Sequence, residues 1–123
     1  MRREHSKLEL FKKLQLMGYD YDIINSSISK LVEQNYQSDD RFAEGFMVMR
    51  FNQGKGPIKI ASELKMRGIN TFDLSAFDWF QLAKEIRQKK FGDPSSLEYK
   101  EIAKQKRFLQ SRGFNLDQIN QAF

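Results

Sequence analysis

The chain has no cysteine and a single histidine, His5. Disulfide scaffolds, thiolate metal sites and thiol nucleophiles are therefore excluded, as are metal sites that need two or more imidazoles. Only two prolines occur, Pro57 and Pro94, and no segment is low in complexity. Runs of β-branched residues with period two are absent. No apolar stretch approaches the roughly 18 residues of a membrane span, and the start MRREHSKLEL lacks the apolar core of a secretion signal. These absences lead us to expect a cytoplasmic protein without membrane contact or cofactor. The 123 residues are one domain's worth of chain, and 21 Lys and Arg against 16 Asp and Glu leave a net charge of +5. Such a balance points toward anionic partners without naming one.

What recurs is apolar residues at spacings of three and four, so the sequence predicts an all-α fold. Ser6-Lys7-Leu8-Glu9 fits a capping box and should open a helix ending near Met17, with Leu10, Phe11, Leu14 and Met17 on one face. A second helix is expected over 20–34, carrying Ile24, Ile28, Leu31 and Val32, with Asn35 as its left-handed stop. A third, over 39–53, is capped by Ser38 and has Asp39 and Asp40 at its positive end. Pro57 suits the first turn of a fourth over 57–67. A short fifth over 70–77, a sixth over 78–91, a seventh over 97–112 and an eighth over 116–123 complete the expectation.

Three of these helix ends share one pattern. The stretches Leu14…Gly18-Tyr19-Asp20…Ile24, Leu64…Gly68-Ile69-Asn70…Leu74 and Leu109…Gly113-Phe114-Asn115…Ile119 place the same residue classes at the same four positions. Glycine admits the left-handed stop, the apolar residue after it packs back on the ending helix, and Asp or Asn caps the next helix. The glycines are 50 and 45 residues apart, which reads as a tandem helical repeat. We therefore expect an elongated array of three-helix units at 1–54 and 55–92 with an incomplete third at 93–123, all one module.

Little in the chain could do catalysis. His5 precedes a helix cap, where a capping or salt-bridging role explains it, and no nucleophile or carboxylate is nominated beside it. Gly54-Lys55-Gly56-Pro57 resembles a phosphate-cradling turn, but the Walker spacing is missing and Pro57 removes an amide donor. A tight connector between units explains it better, with a helper role toward a phosphate left open. The aromatics Phe42, Phe46, Phe72, Phe77 and Trp79 fall on core stripes. Phe51 and Phe80 are the least inward and are candidates for a partner surface.

Charge is unevenly spread. Residues 1–18, 55–69 and 84–112 are net basic, by +3, +3 and +5, while 19–45 is net −4. On the seventh predicted helix Lys100, Lys104 and Arg107 share an arc of roughly 60°, opposite Ile102 and Leu109. Lys84 and Arg87 are expected on the outer side of the sixth. A solvated face explains any one of these cations; several basic helices in succession suggest a track for a polyanion or an acidic protein, bound without base reading.

Arg3-Glu4-His5-Ser6, then Asp39…Arg41-Phe42-Ala43…Phe46…Arg50…Gly54-Lys55-Gly56-Pro57…Ile60…Glu63-Leu64…Gly68-Ile69, resembles the RecX family. The likeness continues through Asp78-Trp79, Leu82-Ala83, Phe91-Gly92 and Phe108-Leu109…Arg112-Gly113-Phe114. The resemblance implies a modular, non-enzymatic regulator of the bacterial RecA recombinase. It would bind in the groove of the RecA–DNA filament and inhibit its ATPase, recombinase and SOS coprotease activities, with weak contacts to single- and double-stranded DNA. The sequence departs from the family where Asn35-Tyr36-Gln37-Ser38-Asp39 replaces Gly-Tyr-Leu-Asp-Asp, and the fifth helix looks about two turns short. The start of the chain also looks abbreviated or trimmed beside relatives. A monomer is expected. The candidate RecA- and DNA-binding residues are Arg41, Arg50, Lys59, Arg67, Lys84, Arg87, Lys100, Lys104, Arg107 and Arg112. Arg41 and Arg50 could equally brace the first unit through Asp39, Asp40 or Glu44. The competing reading is a stand-alone basic helical DNA-binding protein of helix-turn-helix type.

Overall fold

The computed structural model of the chain describes residues 4–92 and 98–123. Arg3, Pro94 and the first residue of the predicted helix 97–112 lie outside the described residues. Seven helices are present among the described residues and no strand: α1 (Lys7–Leu16), α2 (Tyr21–Glu33), α3 (Asp39–Asn52), α4 (Pro57–Met66), α5 (Trp79–Phe91), α6 (Tyr99–Ser111) and α7 (Leu116–Asn120). Their ends obey local chemistry. The Ser6 hydroxyl accepts from the Glu9 amide while the Glu9 side chain accepts from the Ser6 amide, which closes the capping box. Asp20 caps α2 through the Ile23 amide, and Asn115 opens α7 with a second capping box through Gln118. The Ser38 hydroxyl accepts from the Arg41 amide at the start of α3.

The repeated pattern is a Schellman end, seen three times. The amide after the glycine donates to the leucine carbonyl in each case: Tyr19 to Leu14, Ile69 to Leu64 and Phe114 to Leu109. The glycine amide donates one residue further along, to Gln15, Lys65 and Gln110. This geometry needs a left-handed residue between the two donors, and φ is +92° at Gly18, +80° at Gly68 and +99° at Gly113. Asn35, at φ +60°, does the same work at the end of α2.

The predicted helix over 70–77 is absent. Residues 69–78 form turns and irregular backbone, so Asn70 caps nothing and 55–92 holds two helices, α4 and α5. Asn, Thr, Phe, Asp and Ser at 70–73 and 75 are all weak helix formers. Local bonds offer the backbone an alternative: the Asp73 carboxylate accepts from the Ser75 amide at 2.8 Å, and the Leu74 carbonyl accepts from the Trp79 indole at 2.8 Å. The two bonds from Ser75, side chain and backbone, hold Asp73 below its ordinary pKa of 3.8. The eighth predicted helix is shorter than expected, since α7 ends at Asn120.

The chain clusters into two compact units, to which α3 and α4 each contribute part of their length. Unit 1 comprises the stretch ending at Val48 with Glu63–Phe72, and its interior holds Ile24, Ile28, Phe42, Phe46, Met47, Leu64 and Ile69. Phe42 and Phe46 stack with centroids 5.7 Å apart. The helix α1 buries no residue completely. Unit 2 comprises Met49–Ser62 with Asp73–Phe123, around Ile60, Trp79, Leu82, Ala83, Leu109, Phe114, Ile119 and Ala122. Here α5, α6 and α7 pack on one another.

Phe51 is not a free partner surface. It packs in an aromatic cluster of unit 2, with ring centroids 4.9 Å from Phe77 and 5.4 Å from Trp79. Phe80 is exposed, as its position implied.

Candidate functional site

The candidate cations separate into those engaged within the fold and those that are not. Arg87 belongs firmly to the first group. It was expected on the outer side of its helix and is instead 1% exposed. Its Nε donates to the Ala122 carbonyl at 2.6 Å, and Nη1 donates to the Gly92 carbonyl at 3.0 Å and to Gln105 Oε1 at 3.4 Å. Gln105, itself buried, donates onward to Glu101. The guanidinium also lies 5.1 Å from the centroid of the Phe123 ring. A buried guanidinium with this many acceptors ties α5 to the end of the chain and cannot reach a partner. The signal was available in the sequence: Arg87 follows the buried Ala83 by four residues, which places both on one face.

Arg41 braces unit 1, but not through the expected acids. Its Nε donates to Glu4 at 2.8 Å and Nη1 to the Asn35 side chain at 3.1 Å. Asp39 accepts from the Lys7 amide and the Gln37 side chain instead. Arg67 donates to the Glu63 carbonyl, stands 3.8 Å from Glu9 and covers the Phe46 ring at 4.8 Å. Arg50 donates to the Gln53 side chain at 2.8 Å. Arg112 donates to the Gln53 carbonyl at 2.8 Å and lies over the Phe108 ring at 5.8 Å. Any anion that recruits one of these arginines must replace bonds already made.

Lys84 on α5 and Lys100, Lys104 and Arg107 on α6 are exposed, and among the described residues they make no hydrogen bond or ion pair. The α6 stripe is backed by the buried Gln105 and Leu109, so its cations face solvent as the periodicity required. Lys59 is half-buried against Gly113. Among the described residues, unit 2 therefore carries a basic face on α6 without ion-pair partners, with Lys84 as a further such cation on α5.

Gly54-Lys55-Gly56-Pro57 resolves as a connector. The Gly56 amide donates to the Arg112 carbonyl at 2.7 Å and the Ile58 amide to the Gly113 carbonyl at 2.9 Å, while Pro57 has no amide to give. The Gly56 and Ile58 amides at the start of α4 are thus spent on the α6–α7 corner rather than held open for a phosphate. The contact is backbone against backbone: a Cβ on Gly56 would fall on the Gly113 carbonyl, and one on Gly113 would fall on Lys59. Sequence reasoning missed this approach, although two glycines flanking a lysine were its mark.

His5 lines an open recess of about 720 Å³ in unit 1 with Glu4, Leu31, Tyr36, Gln37 and Arg41, and its carbonyl accepts from Gln37 at 3.3 Å. The carboxylate that shares the recess, Glu4, is taken up by Arg41. Among the described residues, no group of three or more His, Asp or Glu is placed to hold a metal ion, and no helix is long and apolar enough to cross a membrane.

The described residues define an all-helical protein whose candidate site is the exposed basic face of α6. The model of the second three-helix domain of RecX matches residues 38–73, and that of the third matches residues 78–123. A regulatory protein RecX of Halorhodospira halophila is 35% identical over 98% of this chain and 79% of its own length. That of Chromohalobacter salexigens is 39% identical over 98% of this chain and 83% of its own. The crystal structure of RecX from Lactobacillus salivarius superposes with a TM-score of 0.80 at 24% identity, covering 97% of this chain and 83% of that one. The chain belongs to the RecX family.

Proposed function

We propose that this protein is a non-enzymatic, cytoplasmic regulator that binds the groove of the RecA–DNA filament. In this reading it inhibits the ATPase, recombinase and SOS coprotease activities, with auxiliary DNA contacts that are weak and blind to sequence. Membership of the RecX family over nearly the whole chain is the observation that carries the reading. The unpaired face of Lys100, Lys104 and Arg107, with Lys84 on α5, supports an anionic partner, because cations that give up only water cost least to recruit. Lys59, Arg41, Arg50, Arg67 and Arg112 are second in weight, since their present contacts must be exchanged. Arg87 is withdrawn from the set.

The same unpaired face favours a second reading, a stand-alone DNA-binding protein. Titrating the protein into RecA hydrolysing ATP on single-stranded DNA separates the two. Inhibition at stoichiometric amounts is expected; no inhibition together with tight binding to bare DNA selects the second reading. Four cations contacting phosphates give log affinity a slope of about −3 against log salt.

A further inference from the structure

Three helices, α1, α4 and α6, end in the repeated leucine–glycine corner, and two of those corners carry the first turn of another helix on the glycine. On Gly68 it is α1: a Cβ there would meet Leu8 at 2.9 Å. On Gly113 it is α4, through Lys59 and the two amide bonds from Gly56 and Ile58. The starts of α1 and α4 are therefore used, and so are the corners that follow α4 and α6. Among the described residues this leaves one corner bare and, at α6, a helix start with neither a corner beneath it nor a side-chain cap. A Cβ on Gly18 would meet nothing within 4 Å, and α6 begins at Glu98 with no side-chain cap.

We propose that these two unmatched parts fit each other in different molecules, the first turn of α6 in one copy seating on the α1–α2 corner of the next. The corner offers an apolar recess of about 260 Å³ lined by Leu14, Met17, Tyr19 and Ile23. Met17 is 62% exposed there, where the covered corners have Arg67 and Arg112. The apolar residue after the glycine tells the same story: Ile69 and Phe114 are 4% and 1% exposed, Tyr19 48%. The incoming turn brings Tyr99, 86% exposed, to fill it. Charge matches as well. Asp20 and Asp22 edge the corner and suit Lys100 and Lys104, while Lys13 in the last turn of α1 suits Glu98.

The contact is heterologous, so each copy keeps one free half and association does not stop at a dimer. It is also small, which sets it at the weak end of specific interfaces. The inference departs from the monomer expected from the sequence and does not depend on the proposed partner.

Sedimentation equilibrium of the full chain, from about 10 µM to about 1 mM, tests it. The weight-average mass is expected to rise through that of a dimer without a plateau. Met17→Glu and Tyr99→Glu are each expected to hold the protein at monomer mass, with circular dichroism unchanged because both side chains are exposed. An equal mixture of the two variants is expected to form a dimer and go no further, since each retains the half the other lacks. Tyr19→Glu, in the recess lining and outside both helices, replaces Met17→Glu if helicity falls. A wild-type chain that stays monomeric throughout overturns the proposal. So does association that survives either variant, or a mixture that fails to pair.

Discussion

The α1–α2 and α6–α7 corners carry the same residue classes at the same positions, and their backbones close with the same pair of hydrogen bonds. Their surroundings are opposite. Gly113 lies under the first turn of α4, close enough that a methyl group would strike Lys59, while Gly18 has open space. The pattern therefore dictates the turn, and neighbours supplied by other parts of the chain decide what the turn is for. One corner is a packing surface inside unit 2. The other is an exposed apolar edge of unit 1.

Substitutions should separate the two roles, and the largest effect is expected inside unit 2. Gly113→Ala combines a strained φ with a steric collision, for an expected loss of about 3 kcal/mol, against about 1 kcal/mol for Gly18→Ala, where only the strain applies. Equal losses in urea denaturation would mean that the covering contact carries no weight. Arg87→Met should cost about 3 kcal/mol by stranding the Ala122 and Gly92 carbonyls, while Lys84→Ala on the same helix stays within about 0.5 kcal/mol.

Next in size is a change of binding without a change of stability. Lys100→Glu, Lys104→Glu and Arg107→Glu together should leave the denaturation midpoint in place and lower DNA affinity by about tenfold or more at low salt. If inhibition of RecA and DNA binding both survive, the α6 stripe is only a solvated face.

The smallest effect concerns Asp73, in the segment where a third corner leads into irregular backbone rather than a helix. Its carboxyl pKa lies below 3.8 in the fold, so the charged form is favoured. The stabilisation is present above that value and fades as pH falls through the folded pKa. An NMR titration of the Asp73 carboxyl should show a midpoint below 3.8, moving back toward it in Ser75→Ala.

Much of the fold was legible because helix ends are written locally. Ser6, Asp20 and Asn115 cap where they were expected to, and Gly18, Asn35, Gly54, Gly68 and Gly113 all take positive φ. The failures have physical causes. Asn70 has the residue type of a cap, but Asp73 and Ser75 bond each other and end the matter within three residues. Arg87 was misplaced because charge suggested solvent while its register with Ala83 pointed inward. Tyr19 and Phe114 are equivalent in sequence; only long-range neighbours bury one and expose the other. At the candidate site, the α6 stripe followed from periodicity, whereas the partners of Arg41, Glu4 and Asn35, could not be read from charge alone.

In the proposed function the protein acts on RecA assembled on DNA rather than on DNA itself. Fluorescence anisotropy with one labelled single strand, bare and then coated with RecA, decides between the two. Much tighter binding to the coated strand, with weak and salt-sensitive binding to the bare one, is the expected result. Equal or tighter binding to the bare strand would contradict the account.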